Sequence, residues 1–261
     1  MESDFQTHSR RNESETVTPM KALQGKVALI TGASQGIGQG IANAFAAESA
    51  NLVLSARNIE RLNQNAETLT KDGVEVLVVQ ADVADEAQVR ELFRRTMERF
   101  GRLDIVVNNA GIFDGGPLDE LSVEAWDRVM ATNLRGPFLC TREAMRIMKR
   151  QRQGRIINVG SISAQRVRPN SAAYSASKHG LWGLTQVTAL EGREYGITCG
   201  CLHPGNVDVE TLAEARRING EPVMTADDIA HAAVAMATLP PNVNMLEAIV
   251  LPIGQPYIGR G

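Results

Sequence analysis

The sequence predicts an α/β domain built on a doubly wound, seven-stranded parallel sheet, and three observations carry that reading. From Lys26 onward, seven short runs rich in Val, Ile and Leu alternate with longer amphipathic stretches. The runs are nearly continuously apolar rather than alternating, as burial on both faces of a parallel sheet requires. A glycine-rich turn follows the first run directly, which favours an open sheet over the competing closed eight-stranded barrel.

The strands are read in order at 26–30 (KVALI), 51–56 (NLVLSA), 75–83 (EVLVVQADV), 103–110 (LDIVVNNA), 155–161 (RIINVGS), 197–204 (ITCGCLHP) and 247–253 (EAIVLPI). A helix begins in the stretch IANAFAAESA after the first strand, and others are expected over 58–71, 85–100, 122–150, 172–195 and 225–238. Each is long enough to cross back over a sheet, the requirement for joining parallel strands. No internal repeat or low-complexity linker interrupts 21–261, so these residues read as a single domain. Residues 1–20 are polar, mixing Glu2, Asp4, Glu13 and Glu15 with Arg10 and Arg11, and read as a disordered N-terminal tail.

Composition narrows the function classes. A chain of 261 residues, 43% apolar and 22% charged with net charge -3, can bury a core and is not a basic nucleic-acid binder. The basic run Lys149, Arg150, Arg152 and Arg155 falls at the end of a predicted helix, where the macrodipole and solvent favour cations. No apolar run reaches the 18 or so residues of a spanning helix, and the N-terminus has no hydrophobic signal core, so no membrane partner is expected and the cytoplasm is the default location. Three cysteines fit a reducing compartment better than a disulfide framework. Cys199 and Cys201 would share one strand face and, with His203, loosely suggest a metal site, but no second ligand pair supports it and no metal is expected.

The turn after the first strand reads Thr31-Gly32-Ala33-Ser34-Gln35-Gly36-Ile37-Gly38. Glycines there permit a tight turn and bring backbone N–H groups close to a pyrophosphate, whose charge a helix N-terminus favours. The spacing Gly-x3-Gly-x-Gly departs from the more familiar Gly-x-Gly-x-x-Gly, but strand before and helix after make this a dinucleotide loop on a Rossmann-like sheet. An acid at the end of the second strand would bind the adenosine ribose; the stretch Leu54-Ser55-Ala56-Arg57 has none. Arg57 can instead donate to a 2'-phosphate, so NADP(H) is preferred over NAD(H). The alternative is an Arg57 that merely begins the next helix in solvent.

These residues resemble the short-chain dehydrogenase/reductase family, in its single-domain form, over roughly 24–205. The likeness rests on separated motifs in order: Thr31-Gly32-x3-Gly36-Ile37-Gly38, Asp82-Val83, Asn108-Asn109-Ala110-Gly111, Asn133, Ser161, Tyr174-x3-Lys178 and Pro204-Gly205. The resemblance implies Tyr174 as acid/base, Ser161 as the donor that orients the carbonyl, Lys178 as tyrosine tuner and nicotinamide-ribose ligand, and Asn133 as holder of a proton-relay water. It also implies a cofactor site of Gly32, Ser34, Gln35, Gly36, Ile37, Gly38, Arg57, Asp82, Val83, Asn109, Ala110, Gly111, Tyr174, Lys178, Pro204, Gly205 and Val207. Read physically, Tyr174 and Lys178 are four apart on a helical segment and share one face. A cation beside a phenol favours the phenolate, which suits a proton donor in ketone reduction and a base in alcohol oxidation. Ser161 falls at the carboxyl edge of the sheet, where such folds bind ligands, and its hydroxyl can stabilise a developing alkoxide.

The expected activity is NADP(H)-dependent interconversion of a ketone or 3-oxo compound and a secondary alcohol, with a small-molecule substrate. The alternatives are a 3-oxoacyl thioester reductase and a non-catalytic dinucleotide sensor. Ser175-Ala-Ser-Lys178 is also the Ser-x-x-Lys string of certain hydrolases, but the Ser-Asp-Asn and Lys-Thr-Gly companions are missing. In the family Pro-Gly-x-Val is often followed two residues on by Thr; here Val209 stands there, and Thr211 is out of register. The segment 206–224 is expected to be a lid over the substrate. The residues 239–259 look like the tail of bacterial NADP-dependent 3-hydroxy acid dehydrogenases in the same family, and Arg166 and Arg168 could hold a substrate carboxylate or a carrier phosphate. Resemblance further implies a homo-oligomer, a tetramer or dimer, consistent with apolar residues on more than one stripe in Phe138, Leu139 and Met145 and in Leu181, Leu184 and Val187.

Overall fold

The computed structural model describes residues 21–70, 73–209, 220 and 222–256. The expected N-terminal tail, Thr211 and most of the expected lid lie outside the described residues. Seven strands form one parallel sheet: β1 (Val27–Thr31), β2 (Asn51–Ala56), β3 (Val76–Gln80), β4 (Ile105–Asn108), β5 (Gly154–Val159), β6 (Ile197–Pro204) and β7 (Glu247–Val250). Their order is β3-β2-β1-β4-β5-β6-β7, so the winding reverses between β1 and β4. Among the described residues the helices are α1 (Gly36–Ala47), α2 (Ile59–Leu69), α3 (Glu86–Phe100), α4 (Val123–Met130), α5 (Gly136–Gln151), α6 (Ala172–Gly192) and α7 (Ala226–Thr238).

Burial on both sheet faces explains the unbroken apolar runs. Along β1, Ala28 and Ile30 join the layer containing Ile41 and Phe45 of α1 and Ile229 and Ala233 of α7. Val27 and Leu29 join the opposite layer with Leu92 and Phe93 of α3 and Leu139 and Met148 of α5. Successive strand residues face opposite ways, so a strand sandwiched between two helix layers has no polar side to show.

Helix starts follow local chemistry. Asn58, Asp85 and Ser122 each cap a helix by accepting backbone N–H groups of its first turn. Thr225 and Asp228 form a reciprocal capping box at α7. Gly101, in the left-handed region at φ 68°, ends α3.

Two expectations are corrected. The helix read over 122–150 is two helices, α4 and α5, joined by a π turn at Ala131–Arg135. Sequence periodicity does not reveal one extra residue in a turn, and such turns recur at functional sites. Arg155 does not belong to the solvated basic end of α5; it is a buried residue of β5, 9% exposed. Its guanidinium donates to the carbonyls of Leu239 (3.0 Å), Pro240 (3.3 Å) and Val243 (3.3 Å). These carbonyls belong to the loop that leaves α7 at Leu239, so a buried cation ties that loop to β5. Arg155→Ala is expected to lower stability by about 2–3 kcal/mol through the stranded carbonyls, read as a lower urea midpoint; an unchanged midpoint contradicts that role.

Candidate active site

The carboxyl ends of β1 and β4 meet where the winding reverses, and Thr31 ties them together. Its hydroxyl oxygen accepts the N–H groups of Asn109 and Ala110, both at 3.1 Å. The Asn109 amide donates in return to the carbonyls of Thr31 (3.0 Å) and Gly32 (3.1 Å). The loop after β1 and the turn after β4 are therefore one hydrogen-bonded unit. Two glycines are obligatory in it. Gly32 has φ +66°, and a Cβ there would lie 2.8 Å from the Ala110 Cα; a Cβ on Gly38 would lie 2.4 Å from the Gly32 carbonyl oxygen. The loop then enters α1 with Gln35 at its N-cap and no acidic residue in its first turn. Backbone N–H groups at a helix start without a competing carboxylate form a cradle that fits a pyrophosphate.

Arg57 follows β2 at the same edge and is exposed. Arg61, a residue the sequence reading missed, lies in the first turn of α2, and its guanidinium donates to the Gln35 side chain. Asn65, one turn further, donates to the Ala33 carbonyl at 2.9 Å and accepts from Gln39 at 2.8 Å. Arg61 and Asn65 are four apart on α2, a spacing that puts both on the face toward the loop. That periodic signal was available in the sequence beside Arg57. Asp82 follows β3 and its carboxylate accepts the Ala84 N–H at 2.9 Å. The Val83 side chain is buried against the start of α5 at Gly136.

On the other side of the crevice, Ser161, Tyr174, Lys178 and Asn133 are held by separate elements. Ser161 caps a short 3-10 turn after β5, its hydroxyl oxygen accepting the Ser163 N–H at 3.1 Å. That orientation leaves the hydroxyl proton available for donation. Tyr174 and Lys178 lie in the first two turns of α6, with Nζ of Lys178 5.6 Å from the Tyr174 ring centroid. Lys178 is 5% exposed, and its ammonium donates to the Val159 carbonyl at 2.8 Å. The Phe113 ring meets the Tyr174 ring edge-on at 5.4 Å. Asn133 is central to the π turn. Its Oδ1 accepts the Ile112 N–H and its Nδ2 donates to the Ile112 carbonyl, both at 2.8 Å. The same Nδ2 lies 3.3 Å from the Ser177 hydroxyl, which donates to the Tyr174 carbonyl. Thus the π turn, the turn after β4 and α6 are linked side chain to backbone.

Pro204 ends β6, and the Gly205 N–H donates to the Val250 carbonyl at 2.8 Å. Val207 pairs with Met224 in an isolated parallel bridge, with the Asp208 N–H on the Met224 carbonyl and the Met224 N–H on the Asn206 carbonyl. Val209 occupies the place where a threonine is common, and its side chain packs 3.1 Å from the position a Cβ on Gly36 would take. Arg166 and Arg168 lie in the loop after the 3-10 turn. Cys199 and Cys201 are buried, and burial pushes the Cys201 thiol up to about 12. Among the described residues no group of three or more His, Cys, Asp or Glu is placed to hold a metal ion.

Comparison with known proteins agrees with this geometry. The model of the family described as short chain dehydrogenase matches residues 26–219. The chain belongs to the short-chain dehydrogenase/reductase family. A 3-oxoacyl-[acyl-carrier-protein] reductase of Synechocystis is 36% identical over 206 residues, 78% of this chain and 82% of the relative. The fold matches an alcohol dehydrogenase from the archaeon Thermococcus sibiricus complexed with 5-hydroxy-NADP, with TM-score 0.81, 31% identity and coverage of 88% of this chain and 97% of that one. It also matches a metagenomic short-chain oxidoreductase in complex with NADP, with TM-score 0.79, 31% identity and coverage of 88% and 98%. This family member is an NAD(P)-dependent oxidoreductase acting on the CH–OH group of donors.

Proposed function

We propose that the protein interconverts a ketone or 3-oxo compound and a secondary alcohol with NADP(H), using Ser161, Tyr174, Lys178 and Asn133. The observation that carries this reading is the Lys178 ammonium, anchored on the Val159 carbonyl and 5.6 Å from the Tyr174 ring centroid. With that ammonium beside it, Tyr174 can give its proton to a forming alkoxide and regain it in the reverse direction, the cation balancing the negative charge left on the phenol oxygen. The Ser161 hydroxyl, with its oxygen occupied by the Ser163 N–H, donates to the substrate carbonyl oxygen and stabilises the charge that develops there. Asn133 fixes the backbone of Ile112 and, through Ser177, that of Tyr174, which orients the acid. The nicotinamide cofactor supplies or accepts the hydride when bound. Gly32, Ser34, Gln35, Gly36, Ile37 and Gly38 would hold its pyrophosphate. Asp82, Val83, Asn109, Ala110 and Gly111 would lie on the adenine side, and Pro204, Gly205 and Val207, with Tyr174 and Lys178, on the nicotinamide side.

The preference for NADP(H) rests on two guanidinium groups at the loop: Arg57, where an acid would otherwise stand, and Arg61 on Gln35. Planar donors suit a 2'-phosphate. The NADP complexes of both structural relatives support the same preference. The Synechocystis relative supports a 3-oxo substrate, either free or as a thioester. A homo-oligomer fits the outer stripe of Phe138 on α5 and Val187 and Leu190 on α6, each more than 40% exposed. A cytoplasmic location fits three buried, unpaired thiols.

Three outcomes are expected. Tyr174→Phe should lower kcat for NADPH-dependent reduction of ethyl acetoacetate by about a hundredfold or more while NADPH affinity stays within about twofold; full turnover in that variant defeats the mechanism. Arg57→Ala and Arg61→Ala should each weaken NADPH about tenfold and leave NADH nearly unchanged, by fluorescence titration; equal losses for both nucleotides remove the case for a 2'-phosphate site. Analytical ultracentrifugation at micromolar concentration should give a dimer or tetramer, and a monomer counts against the oligomer.

A further inference from the structure

His203 is fully buried near the end of β6, and its imidazole lies directly behind Ser161. Nδ1 is 2.8 Å from the Ser161 carbonyl oxygen and 3.3 Å from the Ser161 backbone nitrogen. One nitrogen cannot donate to the first and accept from the second at the same time. The shorter contact decides, because a bare Nδ1 would set two lone pairs against each other at 2.8 Å. On the far side, Nε2 is 3.4 Å from Oε1 of Glu247 on β7 and makes no hydrogen bond. Glu247 is half-buried, and the Gln165 amide donates to its Oε1. Trp182 of α6 meets the imidazole edge-on at 5.8 Å. The backbone leaves room for the ring through Gly160, where a Cβ would lie 2.7 Å from Nδ1.

We propose that His203 is a positioning residue for Ser161: its Nδ1–H holds the serine carbonyl, while Glu247, tethered by Gln165, faces Nε2 and pairs with the ring only when that nitrogen is protonated. The inference deepens the reading of Ser161 as the carbonyl-orienting donor and rests on it. A serine held through its own backbone presents its hydroxyl from one fixed direction, which matters more to the transition state than to substrate binding. The charged and titratable groups facing the ring are Glu247 from β7, Lys178 from α6 and the Cys201 thiol on its own strand. Burial holds His203 below the usual imidazole value, opposed by the Ser161 hydrogen bond and by Glu247 and reinforced by Lys178. In the neutral ring the single proton is therefore on Nδ1. On acidification a second proton has a place between Nε2 and Glu247.

The tautomer is tested directly by long-range proton–nitrogen correlation on uniformly 15N-labelled protein at pH 7.5, with the His203 signals identified as those that remain when His8→Gln, His179→Gln and His231→Gln remove the other three. A protonated Nδ1 is expected, and a bare Nδ1 overturns the proposal. Kinetics supply the second arm, with NADPH and ethyl acetoacetate as probe. Asn can place an amide donor where Nδ1 stands, whereas Gln places it near Nε2. His203→Asn should keep kcat within about threefold, and His203→Gln should lower it about tenfold with little change in KM. An Asn variant that folds and is no better than Gln overturns the positioning role. If the buried substitutions do not fold, Glu247→Gln at its half-buried position decides: loss of the carboxylate should move the His203 titration to lower pH, and an unmoved titration overturns the pairing. Ser161→Ala is assayed in parallel. Unchanged turnover there defeats the reading of Ser161 itself, whereas the imidazole tautomer is measured independently of turnover.

Discussion

The hydroxyl of Thr31 accepts two backbone N–H groups from the turn after β4, and the amide of Asn109 returns two bonds to the loop after β1. These four bonds close the seam where the sheet reverses its winding. Without them the crevice between two diverging crossovers would have walls set by separate loops. With them, a glycine loop too crowded for any Cβ at Gly38 is braced by the neighbouring strand's turn. The positions of Gly111 and Ile112 follow from that turn, the clamp of Asn133 on Ile112 follows from Ile112, and the π turn holds Asn133 in place.

The fold was largely legible because its signals are local and physical. Continuous apolar runs named all seven strands, and the turn at Gly32 to Gly38 favoured the open sheet over a closed barrel. Caps at Asn58, Asp85, Ser122 and Thr225 agree with the expected helix starts. What failed were features set by tertiary context. Arg155 looked like one more solvated cation because the carbonyls that bind it come from residues more than eighty positions away. The π turn at Ala131–Arg135 leaves no mark on hydrophobic spacing. Within the site, the residue types of Ser161, Tyr174 and Lys178 were readable from order and spacing, but their supports were not. The Val159 carbonyl that holds Lys178 is a backbone atom, which no side-chain pattern encodes. Arg61 was missed although its four-residue spacing with Asn65 was in plain view.

Polar groups inside the sheet do structural work of a different kind. The Asn108 amide donates to Asn158 at 2.8 Å and Thr141 at 3.1 Å, and the Asn158 amide donates to Thr185 at 2.8 Å. The chain runs from β4 through β5 to α6, the helix that carries Tyr174 and Lys178. An apolar contact there would tolerate sliding, whereas a bonded amide has only one register at which its partners are met. The depth at which α6 sits against the sheet is therefore specified well below Tyr174 and Lys178.

The bridge between Val207 and Met224 has an effect on how such a protein can diversify. The chain departs after Asp208 and returns at Met224 with both ends already paired. Closing a loop between fixed ends costs only about 0.6 kcal/mol for each doubling of its length. Insertions, deletions and wholesale replacement in between thus leave the sheet, the seam at Thr31 and the ammonium of Lys178 almost untouched. The bridge works as a socket: whatever length of chain joins its two sides, the strands and the seam are already anchored, and variation there need not wager the stability of the domain.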